Sequence, residues 1–300
     1  MTQPATEWVR VTDDTLIIAR ETGEVWFHSS HGAENALLPF ATPMTCEGTL
    51  GSTAGLLDGA ISLGFAATDT EPHTSGPTLL GHVFSLVGAY HTSRYTSDNL
   101  RRAARRFETL GRPEVADYLE KRAREETGHD RLVLKDLSAL GLPAERVVTN
   151  LTPEGVRPLC ERFDRLCAED YPIDCIGYSY CLERVAALKQ KADVDAVQSL
   201  CPEGVDAGRF LRSHSSLGSE VSHVDETVEF IAGLPAVERT RIVQSTFETA
   251  VLMAKGQHHE RLKSRSQILE ELQQAAGEPL ALDCSDQDDL AVANLDLQRS

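Results

Sequence analysis

The period of the apolar positions changes near residue 75. Before it, Trp8–Val11, Thr15–Arg20 and Glu24–His28 are short runs of strand-type composition, with the turn signal Glu21-Thr-Gly23 between the second and third. Two short helices, Ala33–Phe40 and Ser52–Phe65, are expected next, with Pro43 between them. The stretch Thr68–Pro77 carries prolines, a glycine and polar residues and reads as a linker, which separates a small α+β domain (residues 1–75) from the remainder. From Leu79 the period is helical, with Leu79, Val83, Leu86, Val87 and Tyr90 on one face. The pattern predicts a helix from Leu79 to Leu110, stopped at Gly111-Arg-Pro113, and a second from Pro113 to Leu140, ended by Gly141-Leu-Pro143. A third region opens at Thr152-Pro-Glu154 and is kinked or split at Pro172; a fourth helix starts after Pro202 and stops at Gly233-Leu-Pro235. A fifth runs from Ala236 to Ala275, and residues 276–300, with Asp286-Gln-Asp-Asp289, read as an acidic, flexible tail. The expected fold class is thus an all-α bundle over residues 76–275 behind a small α+β unit.

Composition narrows the function classes. The chain has 300 residues, 41% of them hydrophobic, which is enough for a sizeable core. Its 29 basic against 46 acidic residues give a formal charge of −17, which repels phosphate backbones, so nucleic acid is not an expected partner. No apolar run is long enough to span a bilayer, and the first residues lack the apolar stretch of a secretion signal; a soluble, cytoplasmic protein without a membrane partner is expected. Seven cysteines occur without a Cys-x-x-Cys spacing. Reduced thiols fit best, and Cys160, Cys167, Cys175 and Cys181 read as small buried apolar residues.

Candidate chemistry lies in two Glu-x-x-His units. Glu220 and His223, and Glu126 and His129, are each three residues apart, a separation of about 60° on a helix that lets both side chains reach one point. A single such unit is more often a solvated pair than a ligand pair. Two on separate helical segments, joined by His214 upstream of the second and by Glu183 in the apolar run Ser179–Leu188, shift the balance to a metal site of imidazoles and carboxylates. Glu125 stands four residues before His129 and rivals Glu126. His82 and His91 are half a turn out of phase and fit core roles better than a shared metal, and His258 and His259 read as solvent-facing. Tyr178 and Tyr180 are either partners of the Glu183 carboxylate or core aromatics.

Arranged by order and by helix, these residues resemble the heme-oxygenase-like diiron oxidases over roughly Leu79–Arg265. The resemblance implies a heme-oxygenase-like helical bundle and two iron ions, cycling between Fe(II) and Fe(III), on Glu126, His129, Glu183, His214, Glu220 and His223. It also implies oxidation of a small molecule or peptide by dioxygen, in a biosynthetic setting, through hydrogen abstraction, N-oxygenation or oxidative C–C cleavage. An external electron donor is needed where the substrate does not supply both electrons, and a homodimer is compatible with the chain. The chain departs from the family pattern His-x-x-x-Asp-x-x-His: Glu220 replaces the Asp and stands six positions after His214. On an unbroken helix His214 would point away from His223, so its role as a ligand requires a break near Gly218-Ser219. The alternatives are a ferritin-like diiron bundle, a metal-free thiaminase-II-like protein or binding protein of the same fold, and, behind them, a heme oxygenase. The N-terminal order of strands then helices resembles peptide-recognition domains of ribosomal-peptide biosynthesis.

Overall fold

The computed structural model describes residues 6–29, 48–68, 77–217, 220–280 and 282, with the backbone alone at 220 and 221. The three expected strands form an antiparallel meander, β1 (Thr6–Arg10), β2 (Thr15–Arg20) and β3 (Val25–Ser29), in the order β1-β2-β3. Trp8 pairs with Ile18 and Ile17 with Phe27, and the β2–β3 turn closes on Gly23 at φ 84°, a conformation that only glycine adopts without strain. Helix α1 (Leu50–Ala66) starts at a capping box between Thr49 and Ser52. The helix expected at Ala33–Phe40 lies outside the described residues.

One side of α1 meets the sheet and another meets the bundle. Gly55 and Gly59 face Ala19, Ile17 and Val25, while Gly64 abuts Ala250 on the long helix α12 (Ala236–Arg261). Asp58 of α1 receives both the Tyr180 hydroxyl and the Arg184 guanidinium. A buried ion pair between Glu7 of β1 and Arg239 of α12, with the Ser52 hydroxyl also donating to Glu7, ties the same layers together. One apolar core therefore runs from Val9 and Ile17 through Leu57 to Phe107 and Phe247.

Beyond the sheet the chain is helical: α2 (Leu79–Ser93), α3 (Thr96–Thr109), α4 (Pro113–Glu125), α5 (His129–Ala139), α6 (Ala144–Asn150) and α7 (Arg157–Ala168). Then follow α8 (Asp174–Ala187), α9 (Lys191–Ser199), α10 (Arg209–Ser213), α11 (Glu220–Ala232), α12 and α13 (Arg265–Ala276). The split at Pro172 is as expected, but the other long segments are also divided. The first breaks at Arg94-Tyr95 and the fifth at Leu262–Ser264, where Ser264 and Gln267 box a new N-terminus. The second breaks at Thr127-Gly128, where Gly128 takes φ 93°. A break this short leaves the apolar period nearly in step, so a pattern in the sequence runs across it. Helices α8 and α12 approach so closely that a Cβ at Gly177 would stand 2.2 Å from the Ile242 carbonyl oxygen. A second core gathers Leu80, Val83, Val133, Leu137, Val147 and Leu272 from α2, α5, α6 and α13.

Candidate metal centre

The break that divides α4 from α5 creates the centre. Glu126 is the C-cap of α4, Gly128 turns the chain through left-handed geometry, and His129 opens α5. Glu126 and His129 are therefore not stacked on one continuous helix, as their spacing suggested, but face each other across a corner. The His129 Nδ1–H donates to Glu126 Oε2 at 3.0 Å. His214, the C-cap of the short helix α10, brings its ring edge-on to that of His129, with centroids 4.4 Å apart. The ligand atoms of Glu126, His129 and His214 all lie within 4.8 Å of one another, and all three side chains are half-buried. Burial pushes the Glu126 carboxyl up, but the hydrogen bond from His129 and the charges of His129, His214 and Arg122 outweigh it and hold its pKa below the usual carboxylate value. The carboxylate is ionised and ready to ligate at neutral pH.

His214 reaches this position because α10 ends at Ser213 and α11 begins at Glu220. The stretch from Arg209 to Glu226 is thus not one helix; Gly218 and Ser219, where a break was expected, lie outside the described residues. Asp136 of α5 fixes α10 in place. Its fully buried carboxylate accepts the Phe210 backbone N–H at 2.9 Å and the Arg209 guanidinium at 3.0 Å.

A second cluster adjoins the first and is centred on Arg122, one turn before Glu126 on α4. Its Nη1 donates to Glu125 Oε2 and its Nη2 to Glu183 Oε2, each at 2.7 Å. Thr227 of α11 lies at 3.4 Å from Nη2 and is bonded in turn to the Tyr118 hydroxyl. His223 Nε2 stands 3.9 Å from Glu125 Oε2. Burial works to lower the Arg122 pKa, but the charges of Glu183 and Glu125 and the hydrogen bond to Glu183 outweigh it and hold the guanidinium protonated. The structure thus places Glu126 with His129 and sends its rival Glu125 to Arg122. Glu183 is near the centre, with a cation already beside it, and of Glu220 only the backbone, at the start of α11, is described.

The remaining candidates have structural roles. The His82 and His91 Nε2 atoms bond the carbonyls of Ala207 and Leu151, which ties each ring to the loop packed against it. Tyr178 stacks on Phe163 and Tyr180 bonds Asp58, so both are core aromatics rather than partners of Glu183. His258 and His259 are exposed. Cys167, Cys175 and Cys181 are buried, Cys160 is partly so, and burial pushes the Cys160 thiol up to about 11. Arg122 and Asp136 were missed from the sequence. Their signal was a single charge within an apolar stripe: Arg122 among Val115, Leu119 and Ala123, and Asp136 beside Val133 and Leu137.

No protein-family model matches the chain, and no curated protein matches it either. Among solved structures, a domain of unknown function with a heme oxygenase-like fold from Shewanella denitrificans OS217 aligns at TM-score 0.51 and 18% identity, covering 74% of this chain and 90% of that one. The fold is heme-oxygenase-like. A TenA homolog from Pseudomonas syringae pv. tomato DC3000 aligns on the same fold at TM-score 0.54 and 14% identity, covering 76% of this chain and all of the other. Within this heme-oxygenase-like bundle, two imidazoles and one carboxylate form a donor set that suits iron or zinc, so the first metal position fits the residues present. Among the described side chains a second position does not close, because the Arg122 guanidinium holds Glu183 and Glu125.

Proposed function

We propose that this protein is a non-heme iron enzyme that uses dioxygen to oxidise a small molecule or a peptide, with iron held by Glu126, His129 and His214. The observation that carries the reading is the convergence of those three donors, from the ends of three helices, inside a heme-oxygenase-like bundle. Iron bound by two imidazoles and one carboxylate keeps open positions for dioxygen and substrate. The chain's own part is to hold the donors in place. Gly128 sets the corner between Glu126 and His129, and Asp136 anchors the helix that ends at His214. His129 would ligate through Nε2 while its Nδ1–H stays on Glu126, or through Nδ1 once the ring proton moves to Nε2. A second iron, which the family resemblance implies, would draw on Glu183, Glu220 and His223.

The test is anaerobic titration with ferrous iron. The wild type should bind iron tightly, and Glu126→Gln, His129→Ala and His214→Ala should each weaken binding by more than the ~10–100-fold typical of losing an outer partner. The ferrous-loaded protein should consume oxygen in the presence of a reductant faster than the same iron free in solution. Iron content near zero in the wild type would overturn the reading. In that case the metal-free thiaminase-II-like alternative gains, which the likeness to a TenA homolog and the Arg122 partner of Glu183 favour. Against it, Cys175 and Cys181 are buried thiols whose pKa values are pushed up, Cys175 by its contact with Cys167 and by burial and Cys181 by burial, so neither is a ready nucleophile.

A further inference from the structure

We infer that Arg122 is the resident second cation of this centre, so that the chain holds one metal ion, in the Glu126, His129 and His214 position, and a guanidinium where a second ion would sit. The inference rests on the proposed metal site and refines its nuclearity. Glu183, expected as an iron ligand, turns instead toward Arg122. Glu183 and its neighbour Glu125 each accept one arm of the guanidinium at 2.7 Å, and His223 lies 3.9 Å from the same Glu125 oxygen. Arg122 is 4% exposed and lies one turn before Glu126 on α4, on the side of the first metal position.

Two physical arguments follow. An arginine cannot lose its proton to make room, as a lysine or histidine can, so a second divalent ion would meet a permanent positive charge at contact range. The guanidinium also satisfies both carboxylates with short charge-assisted bonds in fixed directions, so displacing it would break two bonds and leave a buried cation without them. One metal ion together with one fixed cation balances the nearby carboxylates without either penalty.

The probe is Mn(II), titrated anaerobically into the full-length protein and followed by metal content and electron paramagnetic resonance. The wild type should take up one Mn(II) per chain with an uncoupled six-line signal. Arg122→Met, which frees Glu125 and Glu183, should admit a second ion at least about tenfold more tightly than the wild type does, with a spin-coupled signal. Two ions on the wild type with a coupled signal would overturn the inference while leaving the metal reading intact. No ion on the wild type would overturn both. A folded R122M protein that still takes one ion would show that Arg122 is not what excludes the second. Should R122M lose its far-ultraviolet helical signal without metal, the wild-type count decides the matter.

Discussion

Glu183 lies on the inner face of α8 with 11% of its side chain exposed, and its carboxylate accepts Arg122 Nη2–H at 2.7 Å. From sequence, a carboxylate in that apolar run is costly unless paired or bound to metal, and removing it would relieve the metal-free fold. The Arg122 partner reverses the sign. Glu183→Ala leaves a buried guanidinium with Glu125 as its remaining short carboxylate contact, and breaking a buried pair from one side destabilises by ~3–5 kcal/mol. Because Glu125 stays, a loss near ~3 kcal/mol is expected, read as a lower urea midpoint at unchanged slope in metal-free protein. An unchanged or raised midpoint would show that the pair contributes nothing to the fold. Deleting both charges together, as Glu183→Leu with Arg122→Met, should be less harmful than the single change, since no ion is then left uncompensated.

Helix α10 has five residues, too short to hold itself together, and it carries the proposed ligand His214 at its C-cap. What places it is Asp136 on α5, through the Phe210 N–H and the Arg209 guanidinium. Since α5 also begins at His129, one element carries one proposed ligand at its start and, two turns on, the anchor that positions another. Asp136→Ala should therefore weaken metal binding by ~10–100-fold, as loss of an outer partner does, although Asp136 touches no metal. The measurement is the metal dissociation constant, read beside the helical signal of the metal-free protein. Wild-type affinity in D136A would mean that α10 is held by other contacts, such as the His129–His214 ring pair.

At the scale of the molecule, the sheet and the bundle share one core, and the Glu7–Arg239 pair lies buried within it. Both tryptophans, Trp8 and Trp26, lie in the sheet, whereas the helical signal reports the bundle. Their urea transitions should coincide, as one cooperative unit requires. Glu7→Gln should lower both midpoints together, by ~3 kcal/mol of stability, because Arg239 is left buried with its charge under-compensated. A fluorescence transition that precedes the helical one would show that the sheet unfolds as a separate domain. Among the described residues no helix is long and apolar enough to cross a membrane.

The sequence by itself determined what local periodicity and residue type control. The three strands, the turn at Gly23, the change to helical period at Leu79 and the split at Pro172 were all visible, since a neighbour a few residues away decides each of them. The heme-oxygenase-like fold was expected as well, from the resemblance carried by the order of the Glu and His positions along the helices. Tertiary structure alone decided where those residues meet. The corner at Gly128 turns a same-face spacing into a facing pair, and the gap between α10 and α11 lets His214 turn to His129 rather than His223. It also chose Glu126 over Glu125 and set Arg122 beside Glu183, a contact between residues 61 positions apart. Side chains that far apart in sequence are joined by packing, and a charge on an apolar stripe does not reveal which opposite charge it faces.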